Sequence, residues 1–146
     1  MTAGISLVTL GVADLARSEA FYLAMGWRRS SASVEGEVAF LRSGPVVLSL
    51  YGRDDLAADA DVAPGDLAEP PASVSLARNL PSEQAVDEAF TRAEAAGGRI
   101  VKAPGRVEWG GYLGYVADPD GHLWEFAHNP GFPLADDGTL TLPDEV

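Results

Sequence analysis

The residues best suited to chemistry lie in one late stretch, Gly110 to Pro130. Glu125 sits between Trp124 and Phe126 in the run Leu123 to His128, which reads as a strand. Strand alternation puts Trp124 and Phe126 on one face and Leu123, Glu125 and Ala127 on the other. The ordinary reading of such a residue is a solvent-facing glutamate on a core hairpin. In an apolar cleft, however, desolvation disfavours the charged form of a carboxylate and brings it toward the range of a general base. A carboxylate there also suits a cationic ligand. Asp118-Pro119-Asp120-Gly121 supplies a tight turn just before it, with proline presetting φ and Gly121 free to take a positive φ. Tyr112 to Ala117 is the partner strand. His122 reads as a surface turn residue, and His128 falls on the strand face opposite Glu125.

The elements that must position this stretch follow from spacing. Ile5 to Val12 reads as a strand, and Asp14 as the N-cap of a helix whose apolar stripe is Leu15, Ser18, Phe21, Tyr22 and Met25. Gly26 ends it. Trp27–Ser31, Glu37–Arg42 and Val46–Tyr51 are three further strands, the last two joined by a turn at Ser43-Gly44-Pro45. The order then repeats. Ser73–Asn79 is a strand, Ser82 caps a helix with the stripe Val86, Ala89, Phe90, Ala93 and Ala96, and Arg99–Ala103 leads into the late strand pair. Glu19-Ala20-Phe21 recurs as Glu88-Ala89-Phe90 at about half the chain length. The organisation is a β-α-β-β-β module over 1–52, an acidic aperiodic linker over 53–71, a second module over 72–130 and a tail over 131–146. In the tail, Thr139 to Leu142 alternates and can pair with a sheet edge.

Composition removes several classes of function. The net charge of −12 disfavours nucleic-acid and anionic-membrane partners, which require a basic footprint. The absence of cysteine removes disulfides, thiol nucleophiles and thiolate metal sites together. The N-terminal residues carry no basic leader and no long apolar core, and no run is long enough to span a membrane, so the expected location is the cytoplasm.

Asp118-Pro119-Asp120-Gly121 followed by Glu125, together with Val12-x-Asp14-Leu15-x-x-Ser18-x-x-Phe21-Tyr22 and Met25-Gly26-Trp27, resembles the vicinal oxygen chelate superfamily of glyoxalases, extradiol dioxygenases and bleomycin-resistance proteins. The resemblance covers Ile5 to Pro130. It implies an α+β fold in which two βαβββ modules form a curled mixed-sheet cup with helices outside. It also implies a divalent metal held from four cup-facing strand positions, which map here to Leu7, Ser49, Ser73 and Glu125. Leucine has no lone pair, and serine hydroxyls are poor ligands for zinc, iron or manganese. One carboxylate does not hold a metal that takes three or more protein ligands. The expectation is a member without metal or cofactor, lacking the usual glyoxalase or dioxygenase activity. Such a protein binds a small organic molecule, aromatic or cationic, and relatives of the bleomycin-resistance branch imply a homodimer. Leu7, Ser49, Tyr51, Ser73, Trp109, Tyr112, Tyr115 and Glu125 are the ligand-binding candidates; strand register leaves open whether Tyr112 or Tyr115 faces the cup. A metal-independent lyase or isomerase with Glu125 as general base is the alternative, with Arg78 or Arg106 available to hold an anion. A third reading is a module that mainly assembles with itself or a partner.

Overall fold

The computed structural model describes residues 3–142. The first half runs β1 (Leu7–Val12), α1 (Leu15–Ala24), β2 (Arg28–Arg29), β3 (Val38–Ser43) and β4 (Val46–Gly52). A helix α2 (Arg53–Asp59) and a 3₁₀ turn at Pro64–Asp66 lead to the second half. This comprises β5 (Ser75–Asn79), α3 (Glu83–Ala95), β6 (Arg99–Arg106), β7 (Tyr112–Ala117) and β8 (Leu123–His128). The strands form two four-stranded sheets of matching order, β1-β4-β3-β2 and β5-β8-β7-β6. In each, the first strand pairs parallel with the last and the remaining pairs are antiparallel. This is the α+β, twice-repeated βαβββ architecture that the element order predicts.

Local chemistry sets the helix starts. The Asp14 carboxylate accepts from the Arg17 amide at 3.0 Å, and Ser82 Oγ accepts from the Ala85 amide at 3.0 Å, each satisfying a donor that the first turn leaves free. The helices cover one face of each sheet. Leu10, Val12, Leu41, Leu48 and Leu50 gather with Phe21, Tyr22 and Met25 under α1, Val116 and Phe126 gather with Val86, Phe90 and Ala93 under α3, and Trp124 reaches across to Tyr22 and Trp27. These residues form one continuous core, each large side chain contributing about 1.5–3 kcal/mol by leaving water.

The two modules are clasped through the Asp118–His122 turn. The Tyr22 hydroxyl donates to Asp118 Oδ2 at 2.5 Å and accepts from Trp124 Nε1 at 2.9 Å. Asp118 Oδ1 in turn accepts from the amides of Asp120 and His122, both at 2.9 Å. Asp120 accepts from the Ala13 amide at 2.8 Å and from Arg17 at 3.2 Å, and His122 Nε2 lies 2.8 Å from the Gly11 carbonyl oxygen. His122 is therefore half-buried in the junction and is not the surface turn residue expected, because the turn that carries it docks against the end of β1.

Four segments here differ from the sequence reading. The linker holds α2, whose Leu56 packs where Gly11 of β1 leaves room and whose Ala57 is fully buried. Arg53 pins it with an ion pair to Glu69 at 2.6 Å and a hydrogen bond to the Leu67 carbonyl at 2.5 Å. The strand after α1 shrinks to Arg28–Arg29, whereas β6 extends to Arg106 through two register shifts. The tail pairs with itself, Leu134 bridging to Leu140, and through residue 142 it adds no strand to either sheet edge. The last four residues of the tail lie outside the described residues.

Candidate functional site

The face of each sheet turned away from α1 and α3 carries the alternate residues. On the first sheet, Leu7, Thr9 and Gly11 stand beside Val47, Ser49 and Tyr51, and Phe40 stands beside Ser49. On the second, Ser75, Ala77 and Asn79 stand beside Leu123, Glu125 and Ala127, and Tyr115 stands beside Glu125. The two modules therefore place Ser49 and Glu125 at the same point of the repeat, each between the parallel first strand and the antiparallel neighbour. Leu7 and Ser75 are likewise counterparts. Each lies seven residues before the helix cap, Leu7 before Asp14 and Ser75 before Ser82.

That register moves one expectation. Ser73 is not on β5: it is exposed in the preceding turn with φ 57°, following Ala72 at φ 51°, and the extended strand starts only at Ser75. Ser75 takes the place assigned to Ser73.

Glu125 is half-buried, and its Oε2 accepts a hydrogen bond from the Tyr115 hydroxyl at 2.7 Å. The two residues are direct cross-strand partners, close enough for their side chains to interact. This hydrogen bond, then burial, then the negative charge of Glu125 push the Tyr115 phenol above its ordinary pKa, so Tyr115 stays a neutral donor. Beyond Tyr115 in the same row stands Lys102 of β6, exposed. A polar strip thus crosses the second sheet from Glu125 through Tyr115 to Lys102. Lys102 was not legible as a site residue, because the register shifts on either side of it in β6 break the simple alternation that spacing reveals.

The remaining candidates fall elsewhere. Tyr112 faces α3, where its hydroxyl donates to Asp87 at 2.6 Å, a bond that raises its pKa and settles the register in favour of Tyr115. Trp109 lies in the β6–β7 hairpin, 65% exposed. Leu7 is 44% exposed at the start of β1, Ser49 is buried, and Tyr51 is half-buried at the end of β4. Arg106 pairs with Glu83 at 3.4 Å on the surface. Arg78 stands over the Trp27 ring, 5.4 Å from its centroid. His128 Nδ1 lies 3.0 Å from the Leu80 carbonyl oxygen.

A divalent transition metal does not fit this donor set. Among the described residues, no group of three or more His, Cys, Asp or Glu side chains comes together. The four counterpart positions offer a leucine, two serines and one carboxylate already engaged by a phenol.

The profile of the glyoxalase/bleomycin resistance protein/dioxygenase superfamily matches residues 4–126. The chain belongs to that superfamily. Among solved structures, this superfamily member is similar to a glyoxalase-related enzyme of Fulvimarina pelagi, with 35% identity and a TM-score of 0.89 over 98% of this chain and 100% of that one. It is also similar to a lactoylglutathione lyase of Agrobacterium tumefaciens, with 26% identity and a TM-score of 0.70 over 91% of this chain and 100% of that one. A glyoxalase/bleomycin resistance protein/dioxygenase of Nocardioides matches with 25% identity and a TM-score of 0.70 over 90% of this chain and 89% of that one. A comparison with curated proteins returned no match. No helix among the described residues is long and apolar enough to cross a membrane.

Proposed function

We propose that this superfamily member is a metal-free binding protein that takes a small aromatic or cationic molecule into its cup and works as a cytoplasmic homodimer. The observation that carries the reading is the Glu125–Tyr115 pair. It offers one negative charge beside an aromatic ring, the combination that holds a flat cation through charge and π-face together. The leucine and serines at the counterpart positions favour an organic ligand over a metal ion. A dimer is favoured by β6, the free edge of the second sheet, where Ile100 and Val101 are 36% and 47% exposed.

The test is calorimetric titration with a panel of aromatic cations, such as N-alkylquinoliniums, and their uncharged analogues. Cations should bind saturably without product, and Glu125→Gln should weaken them about 10- to 100-fold by removing a charged partner. Equal binding of charged and uncharged analogues sinks the reading. Sedimentation of the purified chain checks the dimer, and Val101→Lys should shift it toward monomer.

One observation favours a second reading, a metal-independent lyase or isomerase. Tyr115 is a neutral proton donor hydrogen-bonded to Glu125, so the pair can remove a proton from a carbon acid and return it. Turnover that vanishes in Glu125→Gln while substrate binding persists would place this reading first.

A further inference from the structure

We infer that the seam between the two modules forms a second ligand site, separate from the cup and suited to a flat apolar molecule bearing one carboxylate. A groove of about 910 Å³ runs along this seam, within the roughly 300–1,000 Å³ of small-molecule sites. Its apolar wall comes from both sheets and the end of α1: Val8, Leu48, Leu76, Trp27 and Trp124. The self-bridged tail, from Leu134 to Leu140, forms the outer side. The groove touches Val47, Ala77 and Asn79, but Leu7, Ser49, Tyr115 and Glu125 do not line it.

Its inner wall carries the cations and its outer, tail side the anions: Arg42 and Arg78 against Asp136 and Asp137. Arg42 and Arg78 both line the groove, and neither forms an ion pair among the described residues, in a protein of net charge −12. A third guanidinium, that of Arg92, lies 3.8 Å from where a side chain at Gly26 would begin, and Gly26 also lines the groove. Partial burial, and then the like charge of Arg92, lower the pKa of Arg78. The tail brings Asp136 and Asp137 to the same groove without pairing either arginine, and Asp137 Oδ1 is engaged by the Thr139 amide at 2.9 Å. Guanidinium groups match carboxylates with two parallel hydrogen bonds, and the half-buried Trp27 ring, with Arg78 over it at 5.4 Å, gives the groove an aromatic wall beside that guanidinium. An arginine seated on an indole ring, with a second arginine on the same groove, selects an aromatic carboxylate.

The probes are indole-3-acetate and 1-naphthoate, each against its own amide, read by tryptophan fluorescence in a Trp109→Phe background so that Trp27 and Trp124 report. The carboxylates should bind saturably and at least about tenfold more tightly than the amides. Arg42→Met and Arg78→Met should each remove most of that preference, and Glu125→Gln should leave it unchanged. Arg78→Lys, which keeps the charge but loses the fork, should fall between parent and Arg78→Met, and circular dichroism checks that each variant is folded. No saturable binding, equal binding of acid and amide, or arginine variants that bind like the parent would overturn the site. So would a Glu125→Gln loss as large as that of the arginine variants, because it would put the ligand in the cup.

Discussion

The Glu125 carboxylate takes one phenolic hydrogen bond at 2.7 Å and keeps acceptor capacity on the cup face, whereas Asp118 is saturated and buried. The two acidic residues of one motif therefore differ in role: Asp118 holds the two modules together, whereas Glu125 keeps a free acceptor on the cup face. Replacing the Tyr22 hydroxyl strips a buried partner from both Asp118 and Trp124 Nε1, so Tyr22→Phe should cost about 1–3 kcal/mol. Tyr115→Phe, at a half-exposed bond, should cost less, about 0.5–1.5 kcal/mol. Urea unfolding of the two variants checks the ranking, and a reversed order would contradict it. Glu125 was legible because its strand alternates cleanly behind a turn with strong chemistry. The clasp was not, because nothing in one-dimensional spacing brings Tyr22 of the first helix to Asp118.

At the scale of elements, the agreement follows the strength of the local signal. The strands β7 and β8 match the expected spans residue for residue, since aromatic and β-branched residues alternate on both sides of a proline-glycine turn. The helix caps Asp14 and Ser82 were also legible. Helix α2 was not, because seven residues are too few for a visible period and its stability comes from Leu56 on Gly11 and the burial of Ala57. The Ser73 placement failed for a related reason: where an irregular turn becomes a strand is set by backbone conformation, and parity alone allows an error of two residues. Gly114 shows how tightly the elements meet. A Cβ there would lie 2.5 Å from the Lys102 carbonyl oxygen, 2.6 Å from the Phe90 ring and 2.8 Å from the Pro104 nitrogen. Gly114→Ala should therefore destabilise by about 1–3 kcal/mol or more through overpacking, with a lower urea midpoint as the readout. An unchanged midpoint would mean that α3 and β6 yield freely.

For the whole molecule, a shared core and a polar clasp join two repeats that have diverged in role, the first presenting Phe40, Ser49 and Thr9 where the second presents Tyr115, Glu125 and Ala77. The same clasp sets an alkaline limit. Burial first, then the Asp118 charge and hydrogen bond, push the Tyr22 phenol well above its ordinary value, and Tyr115 is raised as well. Above about pH 10 the unfolded chain has released phenolic protons that the folded chain still holds. Stability should therefore hold below that pH and fall as pH rises beyond it, and Tyr22→Phe should flatten the fall in denaturation midpoints measured across the alkaline range. The proposed function requires a cup that takes an organic molecule in place of a metal ion. The most direct measurement is metal analysis of the purified protein followed by calorimetric titration with Zn²⁺, Mn²⁺, Ni²⁺ and Fe²⁺. No stoichiometric metal and no saturable heat are expected; tight, one-to-one metal binding that is lost in Glu125→Gln would overturn the proposed function.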